Sequence, residues 1–391
     1  GSRMKKQADC NLRVPDRIFT ETILKQELPD LLEALCRIPA PSGQEDGRIA
    51  FIGDRLQEYS IPFFVDTAKN LLIFFGPQDT AARKRILLSA HTDTVFPDTK
   101  PMPLTRDEER ICCPGAGDNT ACAAILLLYL KYARQALEQS PKPLLFAFNS
   151  CEEGLGNLKG IRRIMETYGD RIQEATAFDG GVSGVCREAV GSLRYQVTIR
   201  TRGGHSFNDF GNASAVEAMT DLIQRLYRMP LPEVGKNTYN VGTIQGGTSV
   251  NSIPQSCTCL LEYRSDCRES LAAMKNNFQQ VLHHFRQQRS GLHMEMSLMG
   301  ERPCSGRVNR DAMEELVQRA VSSISAVTGE YPSVGSGSTD CNIPLSMGIP
   351  AVCFGGLVGD GVHTREEYVS LPALRQEARI IEEYLRRTIW G

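Results

Sequence analysis

The chain has 391 residues, more than one ordinary core accommodates, so two domains, or three, are expected. An apolar fraction of 41% fills real cores, and a formal net charge of -2 gives no electrostatic footprint for nucleic acid or an anionic membrane, so neither is expected as a partner. The longest apolar run, AAILLLYL (123–130), is far shorter than the ~20 residues that span a bilayer and reads as a buried helix.

The opening GSRM reads as a cloning scar ahead of Met4, and the KKQADCNLRVPD that follows has no apolar run of the kind a signal peptide carries. The thirteen cysteines are scattered, with no CxxC pair to suggest a structural zinc or a redox dithiol. Reduced, mostly buried thiols in a cytoplasmic protein are the expectation.

Helical spacing appears first in DLLEALCRI (30–38) and EDGRIAFIGDRLQEY (45–59). NLLIFF (70–75), RILLSA (85–90) and PLLFAFN (143–149) are short apolar runs that suit strands buried on both faces. ACAAILLLYLKYARQAL lies between two of them as a helix, and this alternation argues for an α/β layered domain. From about residue 190 the texture changes. SLRYQVTIRTR (192–202) alternates like a half-exposed strand, ASAVEAMTDLIQRLY (213–227) is an amphipathic helix, and NTYNVGTIQGG and SCTCLLEYRS read as strands. In the next helix Leu271, Met274, Phe278, Val281 and Phe285 form one apolar stripe, and HMEMSLMG (293–300) closes as a strand. The order β-α-β-β-α-β is that of a split-βαβ, ferredoxin-like unit. α/β texture resumes after about 303 with DAMEELVQRAVSSI, PAVCFGG and LPALRQEARIIEEYLRRTI. A discontinuous α/β domain (4–189 and 303–391) with an inserted unit (190–302) is therefore expected.

Six histidines are present. His283, His284 and His293 read as solvated positions in or beside the inserted helix. The other three sit in SAHTDTV, RGGHSFND and GDGVHTREEYV. If the strand through His91 extends to 93, Asp93 lies on the same side. It either orients a metal-bound imidazole or makes a structural hydrogen bond. Asp118, after a Gly-Ala-Gly turn, is either an N-cap or a ligand. Glu152 and Glu153 follow an apolar strand, where two adjacent acids repel unless a cation is near or one holds a proton. Asp179, in ATAFDGG, and His363, after GGLVGDG, repeat the pattern of an apolar or glycine-rich lead-in ending in one polar group. In an open α/β sheet, ligands gather at the carboxyl ends of strands. Convergence of these groups would make a nitrogen- and oxygen-donor site for zinc or a similar divalent ion, and one bridging carboxylate would suit two ions.

With these residues in place the chain resembles the co-catalytic zinc peptidases that include peptidase T, carboxypeptidase G, succinyl-diaminopimelate desuccinylase and acetylornithine deacetylase. The resemblance runs over nearly the whole chain, through HTDTV, GAGDN, CEEG, FDGG, RGGHS, NSIP and VHTREEYV. It implies a mixed-sheet catalytic domain with an inserted lid or dimerisation domain, and two zinc ions per subunit, with Co2+ or Mn2+ as other divalent ions. One metal would rest on His91, Asp118 and Asp179, and the second on Asp118, Glu153 and His363. Asp93 would orient His91, and Glu152 would be the general base. His205 would reach across a homodimer to stabilise the oxyanion in the neighbouring site. Asn251 and Arg264 match positions that touch substrate in some members; a surface ion pair is the other reading of Arg264. The run DNTAC departs from the DxKGG-like run usual after the bridging Asp, and the resemblance implies a cis Asp118–Asn119 peptide.

The implied activity is hydrolysis of an amide bond in a short peptide. Asp at the position of Asp179 is usual in aminopeptidase and dipeptidase members, as in peptidase T, and Glu in carboxypeptidases and deacylases. An N-acyl-amino-acid deacylase using the same site is the alternative. A non-catalytic binding protein would be expected to lack a ligand or the base, yet all are present. A cysteine hydrolase using Cys151 is disfavoured because the adjacent glutamates raise the thiol pKa. Nucleotide cofactors lack support, since neither GxGxxG after a strand nor GxxxxGK[ST] occurs.

Overall fold

The computed structural model describes residues 17–356 and 358–391. The opening GSRM therefore lies outside the described residues. A mixed eight-stranded sheet forms the centre, in the order Phe64–Val65, Leu71–Phe75, Leu144–Asn149, Arg85–His91, Ile172–Phe178, Ala351–Gly355, Gly184–Ala189 and Val334–Gly337. Its four middle strands run parallel. Their sequences are near-continuous apolar runs because helices pack on both faces. Every residue of Arg85–His91 and of Leu144–Asn149 is buried.

The helix Ala121–Glu138 is apolar almost all round, with Ala121 through Leu130 buried. It packs with the terminal helix Leu371–Trp390 in one large core that also holds Phe178, Phe354 and Tyr384 in edge-to-face contact. The condition set on the strand through His91 is not met, and two strands have no counterpart in the sequence reading. The ladder through His91 stops there instead of running on to Asp93, because the chain turns aside to bridge Pro41, with the Thr94 N–H donating to Ala40 O at 2.8 Å. The short strands Gly184–Ala189 and Val334–Gly337 carry no apolar run; Val334–Gly337 is the sheet edge, and Gly184–Ala189 lies between it and Ala351–Gly355.

Residues 191–302 build a second sheet, antiparallel, in the order Asn237–Gly246, Ser256–Ser265, Gly191–Arg200, His293–Arg302. Helices Ala215–Tyr227 and Arg268–Gln288 cover one face. The alternating side chains Leu193, Tyr195, Val197 and Ile199 meet Met274, Phe278, Leu282 and Phe285 in a core separate from the first. The opposite face carries Arg194, Glu262 and Arg264. A small ribbon pairs Gly204–His205 with Ser252–Ile253. His283, His284 and His293 are exposed. No helix among the described residues is long and apolar enough to cross a membrane.

Candidate metal centre

The parallel strands of the central sheet end together, and the polar groups follow directly. His91 ends one strand and is in register with Asn149, the last residue of its neighbour. Glu152 and Glu153 follow three and four residues after Asn149, and Asp179 follows Phe178 directly. Asp118 sits in the turn before the helix Ala121–Glu138, with non-helical backbone and no capping bond from its side chain, so the N-cap reading does not hold. The Asp118–Asn119 peptide is cis.

Asp118 occupies the middle of the cluster. Its Oδ1 lies 3.3 Å from His91 Nε2, and its Oδ2 lies 2.7 Å from His363 Nε2. Asp179 Oδ2 is 3.5 Å from His91 Nε2, and Glu153 Oε2 is 3.6 Å from His363 Nε2. Glu152 Oε2 stands 3.5 Å from His91 Nε2. Distance alone also groups His91 with Asp118 and Glu153, and His91 with Glu152 and Asp179, each set of donor atoms lying within 4.8 Å. Those sets both centre on His91 and omit His363. The divergence of the two Asp118 oxygens toward two different imidazoles is the stronger guide, because it divides the cluster into two halves that share one carboxylate.

Asp93 lies behind His91. Its Oδ1 is 3.2 Å from His91 Nδ1 and accepts the Glu152 N–H at 3.0 Å. Its Oδ2 accepts the Glu153 N–H at 3.0 Å and the Ser42 hydroxyl at 2.5 Å. Asn119 stitches the Asp118 turn to the Asp179 loop: its Nδ2 donates to Phe178 O at 2.9 Å and its Oδ1 accepts the Gly180 N–H at 2.8 Å. The glycines after Asp179 are needed for this approach, since a Cβ on Gly181 would lie 2.8 Å from the Asp118 carboxyl carbon.

The electrostatics are those of a crowd of buried acids. Burial, and then Glu153, pushes the Glu152 carboxyl well above its ordinary value. Burial pushes Glu153 up to about 8. Burial and the nearby Asp118 raise Asp179. Burial opposes ionisation of Asp118 too, but the bonds from His363 and His91 outweigh it and hold this carboxyl well below the usual range. Hydrogen bonding to Asp118 and Glu153 pushes His363 up to about 10. His91 Nε2 and Asp118 Oδ1 are buried without a hydrogen-bond partner among the described residues. Two orphaned donor atoms facing each other inside a cluster of four acids and two imidazoles fit divalent cations, which need deprotonated ligands of this kind.

The remaining sequence candidates lie elsewhere. His205 is exposed on the small ribbon; its ring Nδ1 accepts the N–H groups of Phe207 and Asn208 at 3.3 Å. Asn251 sits beside it, with its carbonyl accepting the Ser206 N–H at 3.0 Å. No hydrogen bond or ion pair among the described residues joins either to the cluster. Arg264 pairs with Glu262 at 3.0 Å on the open face of the second sheet. Glu262 also lines a cavity of ≈ 340 Å3 with Leu155, Leu260 and Met299.

Sequence reasoning passed over several groups around the site. Arg302, the last residue of its strand, donates to Glu152 O at 2.6 Å. Asp340 is buried and pushed up to about 7 by burial, with Asn149 Nδ2 donating to it at 2.8 Å. Buried Arg48 donates to Thr92 O and to the Thr120 hydroxyl. The lone carboxylate in the small-residue run GSTDC was the available signal for Asp340; the two arginines had none, because their partners are distant main-chain and hydroxyl oxygens.

A central sheet with nitrogen and oxygen donors gathered at the ends of its parallel strands suits a metal-dependent hydrolase. Residues 87–387 match the model of Peptidase family M20/M25/M40, and the chain belongs to that family. It is 25% identical over 369 residues to the succinyl-diaminopimelate desuccinylase of Corynebacterium glutamicum, covering 91% of this chain and 95% of that one. It is 26% identical over 309 residues to the acetylornithine deacetylase of Myxococcus xanthus, covering 75% of this chain and 77% of that one. Among solved structures, a tripeptidase from Staphylococcus aureus superposes with a TM-score of 0.76 at 19% identity, over 94% of this chain and 99% of that one. A Bacillus subtilis protein described as a dinuclear metal binding peptidase of the same family gives a TM-score of 0.66 at 14% identity, over 95% of this chain and 99% of that one.

Proposed function

We propose that the chain is a di-zinc peptidase that hydrolyses an amide bond of a short peptide with a free N-terminus. The observation that carries this reading is the placement of Asp118 between His91 and His363, with Glu152 beside the cluster and tethered through its main chain. His91, Asp118 and Asp179 would hold one ion and Asp118, Glu153 and His363 the other. Zinc held there would supply Lewis acidity and lower the pKa of a water toward ~7. Co2+ or Mn2+ would suit the same oxygen and nitrogen donors.

Glu152 is the general base. It would take the proton of the attacking water and return it to the leaving amine. Asp93 fixes the ring of His91 and the main chain of both glutamates. Residues 4–189 and 303–391 form the catalytic domain and 190–302 an inserted lid and dimerisation domain. The exposure of His205, away from its own chain's cluster, supports its acting on the oxyanion in a second subunit's site. Asn251, next to it, and Arg264, on the open sheet face, would meet the substrate. Twelve unpaired thiols among the described residues support a reducing, cytoplasmic setting.

The second reading is an N-acyl-amino-acid deacylase. It is favoured by the activities named for the two curated relatives, while Asp rather than Glu at 179 favours the peptidase. Metal analysis of the purified protein, followed by a panel of di- and tripeptides against N-acetyl and N-succinyl amino acids, tests both. Hydrolysis confined to the acylated compounds would replace the first reading by the second, and fewer than two bound ions would remove both.

A further inference from the structure

The two imidazoles of the cluster are held in different ways. His91 is 1% exposed, and the Asp93 carboxylate faces its Nδ1. The His363 side chain is 53% exposed, and no hydrogen bond to its Nδ1 is found among the described residues. Its backbone lies in the left-handed region, at φ 67°, which a non-glycine residue adopts only when its surroundings impose it. Apart from the contact of Nε2 with Asp118, the placement of this ring therefore rests on the main chain.

Glu367 holds that main chain. It is 1% exposed and lies four residues after His363. Its Oε1 accepts the His363 N–H at 3.3 Å. Its Oε2 accepts the Gly117 N–H at 2.8 Å and the Asp118 N–H at 3.2 Å. Its own carbonyl accepts the Cys113 N–H at 3.1 Å. One carboxylate thus spans two loops about 250 residues apart in sequence, and each loop carries one of the groups that meet at 2.7 Å.

We infer that Glu367 is a positioning residue that sets the His363 half of the metal centre against Asp118 by clamping the main chain of both. This rests on the two-metal reading and assigns within it a role for a side chain that touches neither ion. A carboxylate has the acceptor capacity for all three N–H groups. A glutamine has one carbonyl oxygen. The Gly117 and Asp118 donors together claim that oxygen, so the His363 N–H loses its partner and the half of the site built on His363 loosens. Loss of an outer partner of a metal ligand typically weakens metal binding about 10–100-fold.

The test is titration of the metal-free protein with Zn2+ by calorimetry and with Co2+ by absorption, for the wild type, Glu367→Gln and Glu367→Asp. The expected result is two bound ions in the wild type, and in Glu367→Gln one site weakened about 10–100-fold with the other unchanged. The melting temperature of the metal-free variant is expected to match the wild type. Glu367→Asp keeps the charge and loses the span, so it is expected to show the same one-site loss, and it supplies the answer if the glutamine variant does not fold. Two undiminished sites in the folded variants would overturn the inference. Equal weakening of both sites with a lower metal-free melting temperature would also overturn it, since that describes general support of the fold. A wild type that takes up one ion or none sinks the two-metal reading itself, and the inference with it.

Discussion

The carboxylate of Asp93 faces Nδ1 of His91 at 3.2 Å and also takes the backbone N–H groups of Glu152 and Glu153 at 3.0 Å each. One side chain therefore registers the end of one strand against the loop that leaves its neighbour. Asp93→Asn keeps the shape and puts an amide donor where N–H donors already point. Metal affinity is expected to fall about 10–100-fold. Isothermal titration with Zn2+ checks this, and unchanged affinity would remove Asp93 from the site's support.

Glu152→Gln is expected to bind two ions as the wild type does and to lose about 10²–10⁴-fold in kcat, the usual weight of a general acid–base group. Metal content by elemental analysis and steady-state rates on the preferred substrate separate the two effects. Activity retained in this variant places the base elsewhere.

His205→Ala is expected to keep its metals and to lose on the order of 100-fold or more in kcat, as when one oxyanion donor is removed. Mixing inactive His205→Ala and Glu152→Gln chains should restore part of the activity if the imidazole serves a second subunit's site. A mixture as inactive as its parts would confine each site to one chain.

Ions that bind the folded chain stabilise it by mass action, by about 2.7 kcal/mol at one hundred times the dissociation constant. Here they would also balance the repulsion among Asp118, Glu152, Glu153 and Asp179. Stripping with EDTA is therefore expected to lower the melting temperature, and Zn2+ to restore it. The same melting temperature before and after chelation would contradict the site.

Glu377 gives a pH dependence from a carboxyl outside the proposed ligand set. Burial pushes its carboxyl from 4.5 up to about 7, and its one bond among the described residues is from the Gly356 N–H at 2.5 Å. A carboxyl raised in the fold gives its full stabilisation below pH 4.5 and loses it as the pH rises through 7. Glu377→Gln is expected to be more stable than the wild type at pH 8, by on the order of 1–3 kcal/mol, and equal to it near pH 4.5. Urea unfolding at the two pH values checks the crossover.

The parts of this molecule that showed in the sequence are those written in local patterns. The apolar runs ending in His91, Asn149 and Phe178 gave the middle of the sheet, and the groups at and just beyond their ends gave part of the cluster, with Asp118 and His363 marked by the glycine-rich turns before them. The order of strands and helices between 191 and 302 followed from the change of period. The strands Gly184–Ala189 and Val334–Gly337 did not show, because the first, GVCREA, mixes charged and small residues and the second, VGSG, is a glycine-rich edge, and neither has an apolar signature. Glu367, Arg302 and Asp340 did not show either. Their roles come from main-chain and amide groups brought near by the fold, and no spacing in the chain encodes those distances.

Ten of the twelve described cysteines are buried and all twelve are unpaired; only Cys112 and Cys267 are partly accessible. Over the described residues, thiol reagents should therefore meet a largely silent surface on the native protein and many reactive sulfurs once it opens. The chain carries its own chemical gauge of unfolding, and alkylation kinetics under native conditions would read the frequency of global opening with no label added.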